Sequence, residues 1–216
     1  MIREMGDALG APVSAAATRT MCGGARVVLS VRMAVPEFDG RVEYSGVVDF
    51  DSDRCRLEGD SYVADETAPQ STILDGPTTY TLEPDGRWTF TRGAAGTRGM
   101  LHPSGLLDAL VNAQTSAVQS GERSVQLSLD YDVLNAAADV GLAPEWESTA
   151  IAQLSPSRRI AHVTLMRRSL EDPDAGIYVD CAISEPAEVG AIDLPPTEKT
   201  ISLAAKIEQE HGQPGA

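Results

Sequence analysis

Ala25-Arg26-Val27-Val28-Leu29-Ser30-Val31-Arg32-Met33-Ala34-Val35 is followed, after a turn at Glu37–Gly40, by Val42-Glu43-Tyr44-Ser45-Gly46-Val47-Val48-Asp49-Phe50. In the first segment Val27, Leu29, Val31, Met33 and Val35 share one face, with Arg26, Ser30 and Arg32 on the other. In the second, Val42, Tyr44, Gly46, Val48 and Phe50 alternate with polar residues such as Glu43, Ser45 and Asp49. A period of two is the signature of a half-buried strand, whose side chains point alternately to opposite faces. Two such strands joined by a short turn predict an antiparallel sheet, and the rest of the chain extends it.

Cys55 and Leu57 carry the alternation into a third strand, between Arg54, Arg56 and Glu58. Residues 64–70 are polar and read as a loop. Thr72–Leu74 and Thr78–Glu83 then form a hairpin about Asp75-Gly76-Pro77. Pro84-Asp85-Gly86 is a turn in which proline presets φ and glycine takes the positive φ. The chain returns along Arg87–Arg92, with Trp88 and Phe90 on one face. Later strands are predicted at 124–131, Ser148–Leu154, Arg159–Arg168 and Gly176–Ser184, the last with Ile177, Val179, Cys181 and Ile183 on one face.

Helices are predicted at 1–20, where Met5, Ala8, Leu9, Val13, Ala16 and Ala17 recur at helical spacing, and at 133–141. The strongest runs from Pro103 to Gly121, with Leu106, Leu107, Leu110, Val111, Ala117 and Val118 as its apolar stripe. A weakly amphipathic helix or frayed tail, with Ile201, Leu203 and Ile207, closes the chain at 197–216. The fold class is therefore α+β: one domain over 1–196, with about nine or ten antiparallel strands and two or three helices packed on one face.

The order of these elements resembles the lipoprotein-carrier fold of LolA and the LppX/LprG-type lipoproteins. The resemblance rests on the paired opening strands and on Tyr44-Ser45-Gly46-Val47-Val48-Asp49-Phe50 within the second. It continues through Leu74-Asp75-Gly76-Pro77-Thr78-Thr79-Tyr80, Pro84-Asp85-Gly86-Arg87-Trp88 and His102-Pro103-Ser104-Gly105-Leu106-Leu107-Asp108-Ala109-Leu110. The exit Val189-Gly190-Ala191-Ile192-Asp193-Leu194-Pro195-Pro196 completes it. The resemblance implies a strongly curved half-barrel wrapped round helices, with an apolar cavity between them. It implies a lipid or other apolar small molecule as partner, lined by Val31, Val48, Trp88 and Leu127 of the strands and by Leu107, Leu110 and Val111 of the helix. No basic residue is predicted inside, so an anionic head group is expected at the rim. The alternative is an interaction or structural domain with a filled core and no small-molecule ligand.

Charge narrows the partners. Lys plus Arg number 17 against 32 Asp plus Glu, for a net charge of −15, so phosphate neutralisation offers nothing to nucleic acid and an anionic bilayer repels the protein as a whole. No run approaches the length of a membrane span, and no stable insertion is predicted. The start, Met1-Ile2-Arg3-Glu4, has no apolar leader, and Arg19-Thr20-Met21 before Cys22 is no lipobox, so the expectation is a cytoplasmic protein, where family members are typically exported.

Cys22, Cys55 and Cys181 stand far apart, outside any zinc or thioredoxin pattern; Cys55 and Cys181 lie on apolar strand faces and are expected reduced and inaccessible. His102 is expected to cap the helix after it, and His162 to sit exposed or satisfied on a strand. Asp49, Asp51 and Asp53 resemble a calcium ladder but lack the glycine and bidentate glutamate of an EF-hand loop. No Gly-x-Ser-x-Gly occurs, and Gly93–Gly99 has no Gly-Lys-Ser/Thr step. The expectation is a binding protein without enzyme activity, cofactor or metal.

Overall fold

A computed structural model describes residues 13–35, 38–63, 66–93, 98–99, 101–130, 132–134, 146–172 and 174–211. The alternating segments form the expected strands: β1 (Gly24–Val35), β2 (Phe38–Asp49), β3 (Arg54–Val63), β4 (Glu66–Asp75), β5 (Thr78–Leu82) and β6 (Trp88–Arg92). After the helix come β7 (Gln114–Gly121), β8 (Ser124–Leu129), β9 (Trp146–Leu154), β10 (Ile160–Ser169), β11 (Gly176–Ile183) and β12 (Thr200–Ser202). The helices are α1 (13–20), α2 (Pro103–Asn112), the short α3 (132–134) and α4 (Leu203–His211).

All twelve strands join one curved, unclosed sheet in the order β12-β6-β5-β4-β3-β2-β1-β11-β10-β9-β8-β7. Among the described residues every strand pairing is antiparallel except that of β12 on β6. Two meanders meet where β1 pairs with β11, in a register that sets Leu29 opposite Cys181 and Val31 opposite Val179. β6 lies near one end of the sheet and β7 at the other, so the connection between them has to cross a whole face. That connection is α2, which explains why Pro103 to Leu107, Ala109 and Leu110 are all buried.

The face under α2, the inner face, carries the core. Val27, Leu29, Val48, Cys55, Leu57, Leu74, Leu127, Val163, Leu165, Val179 and Cys181 cluster there with Val13, Ala16 and Ala17 of α1, Leu134 of α3 and the leucines of α2. Strand β1 shows the cause: Ala25, Val27 and Leu29 are buried where Arg26 and Val28 are exposed, so the period-two pattern converts directly into sidedness. Thr20 fixes α1 to the sheet by accepting the Ile160 N–H at 2.8 Å, and the Arg159 guanidinium donates to the Thr20 carbonyl at 2.8 Å.

Neighbouring backbone approaches two glycines of the inner face closely. Gly46 stands opposite Leu57, and Gly59 opposite Tyr44. A Cβ at either would strike a backbone carbonyl of the adjacent strand, that of Arg56 or of Glu43. Only a residue without a side chain permits so close an approach.

Three expectations are corrected. The helix predicted to reach Gly121 ends at Asn112, and Gln114–Gly121 pairs with β8 instead. Ala117 and Val118, neighbours in a helical stripe, point to opposite faces of this strand: Ala117 is buried and Val118 is 63% exposed. The polar stretch read as a loop at 64–70 is strand from Glu66, paired with β3 through Val63–Glu66. Ladder hydrogen bonds need no apolar side chains, and Pro69 is tolerated because β5 pairs only from Thr72 onward, leaving β4 open on that side. The segment read as helix from 197 first places Thr200–Ser202 alongside β6, covering its edge before α4 begins. Of the helix expected at 133–141, residues 135–141 lie outside the described residues, as do 1–12 of the N-terminal helix.

Candidate ligand-binding face

α2 is held over the sheet by charge and hydrogen bonds at its start. His102 is its N-cap, with Nδ1 accepting the Ser104 N–H at 3.2 Å, as expected from the residue before Pro103. Arg98 reaches two carboxylates, Asp53 at 2.6 Å and Asp108 at 2.9 Å, and so joins the linker to the β2–β3 turn and to α2. Nothing in the glycine-rich stretch around Arg98 signalled this tie. The three aspartates of the supposed ladder serve the same turn: Asp49 accepts from Asp51 and Ser52, Asp51 accepts from Gly23, and Asp53 pairs with Arg98. Among the described residues no cluster of His, Cys, Asp and Glu is arranged to hold a metal.

Of the seven residues proposed to line a cavity, the fold brings six to the inner face. Val48, Leu107, Leu110 and Leu127 are fully buried in one cluster, and Val31 and Val111 are half-buried against it. Val31 and Leu127 fall in one cross-strand row, through Val179, Leu165 and Ala150. Trp88 is the exception. Leu74 of the inner face pairs with Thr79 and Thr72 with Thr81, so Tyr80 and Leu82 point outward, and Trp88 opposite Leu82 points outward with them. Trp88 therefore shares the outer face with Phe90, whose ring lies 6.1 Å from that of Tyr80.

The inner face is also not free of basic groups, contrary to expectation. Arg167 is completely buried, in register with Ile177 on one side and Ser148 on the other. Its place follows from the alternation Val163, Leu165, Arg167, a signal the sequence carries openly. A guanidinium is the cation best suited to such burial, being weakly hydrated and able to share several hydrogen bonds.

Cover over the inner face is uneven. Along β1, Leu29 is 1% exposed, whereas Val31 and Met33, further along the same face, are only half-buried, as is Val42 opposite Val31. At the open side of β4 lies a cleft of about 620 Å³, lined by Gly59, Ala68, Gln70 and Leu82 among others. Tyr44, on the same inner face, donates a hydrogen bond to Gln70. Burial raises the Tyr44 phenol above its ordinary range. It also pushes the Cys181 thiol up to about 12, and the Cys55 thiol higher still, so neither is ionised near neutrality.

No described helix is long and apolar enough to cross a membrane. No protein-family model matches the chain, and no curated protein matches it in sequence. Among solved structures, the lipoprotein LppX of Mycobacterium tuberculosis superposes with a TM-score of 0.52 at 13% identity, over 87% of this chain and 99% of that one. A DUF1329 family protein from Desulfovibrio piger aligns at a TM-score of 0.29 and 8% identity, over 85% of this chain and 94% of its own. At 13% identity the likeness to LppX is one of fold alone, and in this chain that fold is a large, curved, unclosed sheet with helices packed on it.

Proposed function

We propose that this protein is a non-catalytic carrier that holds a lipid or other apolar molecule between the inner face of the sheet and α2. The observation that carries the reading is the step in cover along β1, from the sealed Leu29 to the half-buried Val31 and Met33. Apolar side chains left part-covered on a concave face offer a ligand roughly 25 cal/mol for each Å² withdrawn from water. Val31, Val48 and Leu127 of the sheet's inner face and Leu107, Leu110 and Val111 of the covering α2 would line the site. The LppX-like fold supports the same reading. A second reading, an interaction domain with a filled core, is favoured by the complete burial of Leu106, Leu107 and Leu110.

The deciding experiment is titration of a fluorescent fatty-acyl probe, with native mass spectrometry of the gently purified protein. Carriage of a lipid gives saturable binding and a co-purified apolar ligand, and Leu107→Ala shifts the preferred chain length. Absence of saturable binding in both wild type and Leu107→Ala selects the filled-core domain.

A further inference from the structure

A second cleft, of about 580 Å³, opens where α1 meets the β7–β8 and β9–β10 turns. Arg19 of α1, Arg123 of the first turn and Arg158 of the second all line it, with Glu122 as its one acidic group. The rest of its wall includes Ala15 and Leu154. A smaller hollow of about 170 Å³ shares Glu122, Arg123 and Leu154 and adds Val125, whose side chain belongs to the inner-face core. The two adjoin through these shared residues, so that arginines line one hollow and apolar Leu154 and Val125 the next, an amphipathic groove.

Its charge is out of keeping with the rest of the molecule. The protein carries a net charge of −15, and Arg32, Arg41, Arg54, Arg56, Arg87 and Arg98 each have a carboxylate within ion-pair distance. Among the described residues Arg19, Arg123 and Arg158 have none; Arg26, Arg92, Arg159 and Arg168 also lack one, and what distinguishes the cleft is that three such arginines line it together. Two hydrogen bonds tie their segments together: the Arg19 Nε–H donates to the Arg158 carbonyl at 3.0 Å, and the Leu154 N–H to the Arg123 carbonyl at 2.8 Å. Arg158 itself holds a left-handed φ of 59° at the turn. Three guanidinium groups against the single carboxylate of Glu122 leave the lining net cationic, which an anion relieves, and guanidinium forks match carboxylate and phosphate oxygens in pairs.

We infer that this groove receives the anionic head group of a lipid, with the acyl chain directed past Leu154 and Val125 toward the core. The inference rests on the carrier reading above and specifies its ligand as acidic. The probes are oleate and monooleoylglycerol, which share an acyl chain and differ in charge, together with inorganic phosphate.

Wild type is expected to bind oleate about tenfold or more tightly than monooleoylglycerol, a factor within reach of one charge-assisted hydrogen bond. Arg19→Gln/Arg123→Gln/Arg158→Gln is expected to erase that preference and leave monooleoylglycerol binding and the melting temperature in place. Raising salt from roughly 0.05 to 0.5 M in the wild type should weaken oleate alone, because screening acts on the charge and not on the chain. Equal affinity for the two lipids in wild type, or a preference surviving in the variant, overturns the inference and leaves the carrier reading intact. Inorganic phosphate binding as tightly as oleate overturns it in favour of a free-anion site. Failure of both lipids to bind saturably overturns the carrier reading, and this inference with it.

Discussion

His102 Nε2 lies 3.2 Å from the backbone carbonyl oxygen of Asp53, while its Nδ1 accepts from Ser104 at the start of α2. One buried imidazole thus joins the turn between β2 and β3 to the helix that covers the sheet. Both bonds require the neutral ring with its proton on Nε2, since a protonated Nδ1 could not accept. Burial holds the His102 pKa below its ordinary 6.5, against the pull of Asp53 toward the charged form.

The pH dependence follows from that depression. Near 6.5 the unfolded chain takes up a proton that the folded protein refuses, so stability is full above that value and falls as pH drops below it. The slope is at most about 1.4 kcal/mol per pH unit for a single group. His102→Asn keeps a capping acceptor without a titrating ring and should lose this slope between about pH 6.5 and 5. Urea unfolding of both proteins across that range measures it; parallel curves would remove His102 from the account.

Leu110 is fully buried at the centre of α2's contact with the sheet. Leu110→Asp places a carboxylate there and should unfold the domain, the cost being several kcal/mol for an unpaired buried charge. Leu107→Ala removes only the apolar isopropyl end of the side chain and should cost about 2–5 kcal/mol. Thermal melts by circular dichroism separate the two, and an unchanged melt for Leu110→Asp would show that α2 is not core.

Gly59→Ala tests the close approach of β2 to β3. Its Cβ would meet the Glu43 carbonyl, part of a paired backbone that has no rotamer with which to yield. A loss of about 1–3 kcal/mol is expected, as for other overpacked sites. Gly190→Ala, where nothing stands near the added atom, should leave the melting temperature unchanged. Equal tolerance of both substitutions would mean that close approach at Gly59 is not needed.

The thiols provide an internal comparison. Cys22 is exposed, whereas Cys55 and Cys181 are buried among inner-face side chains with their thiols held protonated. A thiol reagent should label Cys22 promptly under native conditions and the other two only at the rate of unfolding. Prompt modification of Cys55 or Cys181 would mean that the inner face opens readily to water.

The sequence by itself determined what is local. Period-two alternation marked β1, β2, β8, β10 and β11 and sorted each strand's residues into two faces, because successive side chains must point oppositely. His102 could be read as a cap from its place before Pro103. Tertiary structure decided what depends on a neighbour. Trp88 and Phe90 share a face, as the sequence says, but whether that face is inner is set by registers carried across the β4, β5 and β6 hairpins. Gln114–Gly121 has apolar residues too few to tell 3.6 from two, and the pairing edge of β8 settled the matter. The pairing of β1 with β11, the path of α2 across the sheet, and the meeting of Arg19, Arg123 and Arg158 in one cleft join residues far apart in the chain. No window of sequence contains both partners of such a contact, so only the folded chain could bring them together.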